Sequence, residues 1–369
     1  MKSLSEATAI LEDQIQSPEV HSDRSVTFRL RSRAAQRVCV WINGQNIDLA
    51  VQHGIWSGRT QPLKPGIHDY SLEVDGTRII DPSNRRVKKW FTLSSMVEVP
   101  GAPPLMTELC DVAHGTVRQC YYRSGSVEGI QRPVVVYTPP GYQQQPELDW
   151  PLVVLLHGYG NDQTAWTEVG RAHLIADNMI AAGRISPCLI AMPNGHPLPA
   201  PYGTRPRNYF ADNARLCQLD LQNDLLPWLH SEFGAAIDSQ HCFVAGLSMG
   251  GGQAIHAALS DLNSFGAIGA FSPATPLMEL SELKQLYPVI QGADPAANRL
   301  SDFWIPIGRD DFLLERCQTF CDQLAEQGVR HQLELVDGGH DWTVWRRVLQ
   351  RFLETTVPAG TFSSSCMRS

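Results

Sequence analysis

The chain has 369 residues, of which 43% are hydrophobic and 18% charged, with a formal net charge of −8. That length exceeds what one core usually fills, so two domains are expected in an ordinary globular protein. It carries no basic block for nucleic acid, no apolar run of membrane-spanning length, and nine cysteines scattered without metal-type pairs, so neither nucleic acid, membrane nor metal is expected as a partner.

Residues 1–17 read as an N-terminal extension. They carry Glu and Asp and lack an apolar h-region, so they form no secretory signal and a cytoplasmic protein is expected; it would be secreted had a signal been removed. Residues 18–99 change texture. Ser25-Val-Thr-Phe-Arg-Leu-Arg31 and Arg37-Val-Cys-Val-Trp-Ile-Asn43 alternate polar and apolar residues, and Gly44, Pro65-Gly66, Asp75-Gly76 and Asp81-Pro-Ser-Asn84 supply turns. Short alternating strands between such turns predict an antiparallel β-sandwich. Trp41, Trp56 and Trp90 raise the question of sugar stacking, but core is the expected place for each. Such a module is suited to binding glycan, to shaping a neighbouring cleft or to pairing two copies as a homodimer, and the sequence leaves these open. Residues 100–113, with Gly101-Ala-Pro-Pro, read as the linker.

From residue 114 to 357 the pattern becomes that of an α/β domain. Trp150-Pro-Leu-Val-Val-Leu-Leu-His-Gly-Tyr-Gly160 is a continuous apolar run, suited to a central parallel strand, that ends in a glycine-rich loop. Such a loop supplies an oxyanion N–H in α/β-hydrolases. The donors are assigned to the backbones of Tyr159 and Met249. His157 tempts as a base, but a histidine there more often orders the loop. Met192-Pro-Asn-Gly195 ends another strand, and an irregular stretch from Asn194 to Asp220 follows. It is read as part of the substrate cleft, with Asn194, Arg207 and Tyr209 as lining residues beside His157 and Trp342.

The most informative stretch is Val244-Ala-Gly-Leu-Ser-Met-Gly-Gly-Gly252. It holds Gly-x-Ser-x-Gly around Ser248, between an apolar strand and a helix-compatible run. A serine on so tight a turn projects its hydroxyl off the sheet, beside the free N–H groups of a helix start. A bare turn serine can also be a helix cap, so its partners decide. A serine hydroxyl needs an imidazole to take its proton and a carboxylate to orient the imidazole. Phe303-Trp-Ile-Pro-Ile-Gly-Arg-Asp-Asp-Phe312 ends a strand in Asp310 and Asp311, and Leu333-Glu-Leu-Val-Asp-Gly-Gly-His-Asp-Trp342 ends another in His340. The order Ser, Asp, His is that of α/β-hydrolases. Either aspartate could serve, the other capping the helix that starts near Phe312. No cofactor is required. Cys317 and Cys321 lie four apart on a predicted helix, poorly placed to bridge. Residues 358–369 are small and polar and are expected to form a disordered tail.

Residues from about Met106 to Phe352 resemble the esterase D/feruloyl esterase family, carbohydrate esterase family one, to which enterochelin esterases are related. The resemblance lies in Arg132-Pro-Val-Val-Val-Tyr-Thr-Pro-Pro-Gly-Tyr142, Leu155-Leu-His-Gly158, Met192-Pro-Asn-Gly195, Asp224-Leu-Leu-Pro227, Ala245-Gly-Leu-Ser-Met-Gly-Gly-Gly-Gln253 and Gly338-Gly-His-Asp-Trp342. It implies nucleophile, acid and base at Ser248, Asp311 and His340, because the family's acid lies three residues after the strand-end glycine, here Gly308. Residues 18–99 are similar to the early-set, glycogen-branching-type module that precedes many such esterase domains. The implied architecture is an α/β-hydrolase fold behind a smaller, all-β, immunoglobulin-like sandwich. The implied substrate is a feruloyl or acetyl ester on a xylan-type oligosaccharide; a siderophore trilactone, a non-catalytic glycan-binding protein and an acyltransferase are the alternatives.

Overall fold

A computed structural model describes residues 15–142, 149–199, 208–261, 263–275, 280–287 and 300–360. The chain divides into two compact units at the Leu105/Met106 junction.

The first unit holds β1 (Glu19–Val20), β2 (Val26–Arg31), β3 (Val38–Ile42), β4 (Gln45–Asp48), β5 (Ala50–Gln52), β6 (Ile55–Arg59), β7 (Gly66–Val74), β8 (Thr77–Ile79), β9 (Val87–Lys88) and β10 (Ser94–Val99). One sheet runs β1-β2-β6-β5 and the other β4-β3-β7-β10-β9, with β8 on β7. Alternation explains the core. Val26, Phe28 and Leu30 of one sheet pack with Val38, Val40, Ile42, Tyr70 and Leu72 of the other, as a period of two requires. Asp81 is a buried hub. Its carboxylate accepts from Ser17 Oγ at 2.6 Å, Tyr70 OH at 2.8 Å and the Ser83 N–H at 2.9 Å, while Asn84 donates to the Met96 carbonyl. The Asp-Pro-x-Asn turn is thereby tied to β7 and β10, and Ser17, expected in the extension, is drawn into the module. Of the three tryptophans, Trp56 is core. Trp41 is half-buried, donating to Glu73 beneath the guanidinium of Arg78. Trp90 departs from the core expectation, being 48% exposed against Phe91.

The second unit is built on one eight-stranded sheet. Its strands are β11 (Thr116–Ser124), β12 (Ile130–Thr138), β13 (Leu152–Leu156), β14 (Leu189–Pro193), β15 (Cys242–Leu247), β16 (Ala267–Phe271), β17 (Asp302–Gly308) and β18 (Gln332–Val336). Their order is β11-β12-β14-β13-β15-β16-β17-β18. β11, β12 and β14 pair antiparallel, and all pairs from β14 to β18 are parallel. Every residue of β13, β14, β15 and β16 is buried, which is why these strands read as unbroken apolar runs.

The helices are α1 (Ala165–Glu168), α2 (Ala172–Ala181), α3 (Tyr209–Asp220), α4 (Leu226–Phe233), α5 (Met249–Ser260), α6 (Leu280–Leu286), α7 (Leu314–Glu326) and α8 (Trp342–Thr356). A wider π turn, Leu221–Leu225, joins α3 to α4. α4 stops at Gly234, whose φ of 60° suits glycine. α8 starts where Asp341 accepts from the N–H groups of Thr343 and Val344. None of the described helices is long and apolar enough to cross a membrane.

Three further boundaries differ from expectation. Of the stretch 194–220, expected to be irregular, residues 209–220 form α3, and residues 200–207 lie outside the described residues. The expected linker, 100–113, is partly taken into the second unit: Asn178 donates to the carbonyls of Met106 and Glu108, and His114 bonds Asp177. Pro358, expected in the tail, pairs with Ile185. Residues 361–369 of that tail lie outside the described residues, as do residues 1–14 and Arg207.

Candidate active site

Ser248 stands between β15 and α5 with φ 54° and ψ −116°. For a residue bearing a Cβ this is a strained conformation, costing on the order of 1–3 kcal/mol. Neighbouring backbone fixes it. The Ser248 N–H donates to Phe271 O at 2.9 Å, and Ser248 O accepts from Ala274 and Gly252. The flanking glycines are steric necessities. A Cβ on Gly246 would overlap the Gly250 carbonyl, and one on Gly250 would lie 2.5 Å from the His157 carbonyl.

The loop after β13 lies directly on this turn. A methyl group built on Gly158 would touch Ser248 Cβ at 3.5 Å. His157 is buried. Its Nδ1 donates to Gly158 O at 2.9 Å, and its Nε2 accepts from the Gly195 N–H at 2.8 Å. Burial lowers its pKa, so the ring is a neutral tautomer with both nitrogens engaged. It orders two loops, as expected of a histidine at that place, and its burial leaves it no exposed face for the lining role also expected of it.

The segment after β14 is fixed by many bonds. Gly195 O accepts from Gln253 at 2.7 Å and from Asn213 at 2.9 Å. Asn194 accepts from the His196 N–H and donates to Gln163. Arg132, buried and paired with Asp220 at 2.8 Å, donates to the carbonyls of Asn194 and His196. Asn194 is therefore a strut of the loop, with its side chain committed to protein partners. Tyr209, expected in the cleft, is buried against His196, and the neighbouring Phe210 is the exposed ring, packed edge-on against Tyr159 at 5.4 Å.

Asp311 and His340 meet. His340 Nδ1 donates to the Asp311 carboxylate at 2.9 and 3.0 Å. The loops are brought together because a Cβ on Gly308 would overlap the Gly338 carbonyl, so only glycine lets β17 end so close to the Gly338-Gly339 turn. Asp311 also accepts from the Leu313 N–H at 2.9 Å. Burial pushes its carboxyl up, but the bonds from His340 and Leu313 outweigh that and hold it below its ordinary value. The turn-capping role expected of the other aspartate thus falls to Asp311 itself, and Asp310 is exposed.

The His340 ring lies between two aromatics, Phe312 at 4.6 Å and the buried Trp345 at 5.0 Å. Trp342, expected in the cleft, is only 6% exposed and packs on Trp166 and Trp345. As the first residue of α8 it is turned into the interior. Phe312, Trp345, Gln253, Asn213 and Arg132 were not singled out for roles by sequence. The available signals were the placement of Gln253 directly after the triple glycine and of Arg132 at the head of the Arg132–Tyr142 motif.

Ser248, Asp311 and His340 follow β15, β17 and β18, parallel strands of one sheet, and so share its carboxyl edge, where open α/β sheets hold their sites. Met249 opens α5, and Tyr159 follows the Gly158 that touches the serine turn. Among the described residues, no group of three or more His, Cys, Asp or Glu side chains is set to hold a metal ion.

Comparison with known proteins places this arrangement. The chain is 30% identical over 243 residues to an endo-1,4-beta-xylanase/feruloyl esterase of Xylanibacter ruminicola, a match covering 63% of this chain and 33% of that protein. It thus spans about a third of that relative's length. A CE1 ferulic acid esterase from Anaeromyces mucronatus superposes with a TM-score of 0.57 at 20% identity, over 68% of this chain and 93% of that one. The enterobactin esterase of Shigella flexneri superposes with a TM-score of 0.64 at 19% identity, over 95% and 98%. These two likenesses show the fold. The family described as "Putative esterase" matches residues 125–355, well over half of the chain, and the protein belongs to that esterase family.

Proposed function

We propose that the protein is a serine carboxylic ester hydrolase that releases feruloyl or acetyl groups from xylan-type oligosaccharides. The observation that carries this reading is the His340–Asp311 pair on the sheet edge that also presents Ser248 on a strained turn. In this reading Ser248 Oγ attacks the ester carbonyl and His340 Nε2 takes its proton. The Tyr159 and Met249 amides stabilise the oxyanion. The intermediate collapses, the C–O bond to the alcohol breaks, and His340 returns the proton to the leaving oxygen. Water, deprotonated by the same imidazole, then cleaves the acyl-enzyme to free acid and Ser248. Asp311 holds His340 in the Nδ1–H tautomer throughout and stabilises the imidazolium.

The identity to a feruloyl esterase supports the acyl group named here. A second reading has its own support. The enterobactin esterase likeness extends over 95% of the chain, both units included, which favours a cyclic trilactone as substrate. Turnover of methyl ferulate, acetylated xylo-oligosaccharides and an iron-bound trilactone, compared as kcat/KM on the full chain, decides between them. Preference for the trilactone overturns the first reading. Failure of Ser248-dependent hydrolysis on every ester, nitrophenyl acetate included, overturns both.

A further inference from the structure

Phe312 is 76% exposed. A lone exposed apolar residue needs no explanation, but this one lies on the ring of His340, 4.6 Å between centroids and tilted by 52°. Its immediate neighbours turn inward, whereas the exposed groups further along, Arg309, Asp310 and Glu315, are polar. Asp311 is buried, and Leu313 and Leu314 pack onto the core. His340 is already held by the Asp311 carboxylate and by the perpendicular ring of buried Trp345. Phe312 therefore adds little to fixing the imidazole, and its outer surface faces solvent at the site.

The reaction gives that position a meaning. An imidazole that protonates a leaving alkoxide must lie within hydrogen-bond reach of its oxygen, so the alcohol portion of the ester passes beside His340. Of the two rings that pack on His340, Trp345 is buried and Phe312 is exposed, so Phe312 is the one placed to border the alcohol. Phe210, another exposed ring, packs on Tyr159 of the loop after β13.

We propose that Phe312 is the leaving-group platform of this site: its exposed ring receives the apolar C–H face of a cyclic alcohol, a pentose or hexose ring, as the ester enters. This rests on the ester hydrolase reading with His340 as its base. Stacking on a flat apolar ring adds selectivity for a cyclic alcohol over methanol without touching the acyl group.

The test compares two esters that share one acyl group, methyl ferulate and a feruloylated arabino-xylo-oligosaccharide, using the full chain. Phe312→Ala raises the ratio of the oligosaccharide KM to the methyl ester KM by about three- to tenfold. Phe312→Tyr, which keeps the flat ring, restores the wild-type ratio. An unchanged ratio in Phe312→Ala overturns the platform, whether both esters slow together, as for a mere cover on His340, or neither does. Wild-type protein that cleaves nitrophenyl acetate through Ser248 but neither ferulate ester overturns the sugar platform and the feruloyl reading while leaving the esterase reading standing.

Discussion

Ser248 holds a conformation that its own Cβ disfavours, and bonds to Phe271 of β16, to Ala274 and to Gly252 of α5 keep it there. Two substitutions separate the strain from the chemistry. Ser248→Ala removes the nucleophile and keeps the Cβ, so activity falls on the order of a thousandfold or more while the fold persists. Ser248→Gly also lacks the hydroxyl but relieves the strain, and is expected to be about 1 kcal/mol more stable than Ser248→Ala. Thermal unfolding of the two variants tests this, and a less stable glycine variant would contradict the strain argument. Asp311 adds a pH signature. Its folded carboxyl lies below the ordinary value of 3.8, so its contribution to stability is complete above that value and disappears as pH falls through the folded value. Asp311→Asn should therefore be less stable than the parent at about pH 5 to 6 and draw level with it once the pH has fallen below the folded value. It should also cut kcat severely, whereas Asp310→Asn, at an exposed position, should leave kcat close to wild type. Comparable kcat losses in the two would move the acid. Ser248, His340 and an aspartate at 310 or 311 were legible because strand-end loops and chain order announce them, but the choice of Asp311 came from the family resemblance and not from the order. The aromatic neighbours were not. Trp342 and Trp345 are both apolar and three residues apart, and only the docking of α8 on the sheet decides that Trp345 meets His340.

At the scale of elements, the site depends on close approaches between backbones. The end of β17 lies against the Gly338-Gly339 turn, and a Cβ on Gly308 would overlap it. Gly308→Ala should push the Asp311 and His340 loops apart, costing roughly 1–3 kcal/mol of stability. It should lower kcat by more than that loss of folded protein explains. Unfolding midpoints measured beside kcat test the claim, and full turnover in a folded variant would refute it. Arg132 does similar work for the segment after β14. Removing it leaves Asp220 buried without its cation and the carbonyls of Asn194 and His196 without a donor, a loss of about 3–5 kcal/mol for a broken buried pair. These same contacts explain why α3 escaped the sequence reading. Its buried positions are Tyr209, Asn213, Cys217 and Asp220, a correct helical spacing with polar residues at two of the four. Asn213 faces inward because it holds Gly195, and Asp220 because it pairs with Arg132. Hydrophobic periodicity cannot find a helix whose inner face is partly polar.

At the scale of the molecule, the two units carry separate cores. The first is closed by the β2, β3 and β7 residues around Phe28 and Tyr70, the second by the parallel strands and the helices that cover them. Strand alternation and continuous apolar runs made this division legible, because each pattern follows from how many faces of a strand are buried. The exact junction was less legible, since 106–113 look like linker in composition, yet Met106 and Glu108 are held by Asn178, and the adjoining His114 by Asp177, both of α2. A boundary drawn from structure thus differs from one drawn from composition, and the difference is testable. A fragment that starts at Met106 keeps the bonds from Asn178 and the His114–Asp177 pair; one that starts at Gly115 loses them and leaves the buried Asp177 carboxylate without the His114 bond. The longer fragment is expected to fold by itself around its own core and to hydrolyse nitrophenyl acetate at a rate near that of the full chain. The shorter one is expected to be less stable by about 1–3 kcal/mol, the cost of a buried charged acceptor deprived of a donor. Urea unfolding of the two fragments measures the difference. Equal midpoints would return residues 106–114 to the linker, and failure of the longer fragment to fold would mean that the second unit needs the first to complete its structure.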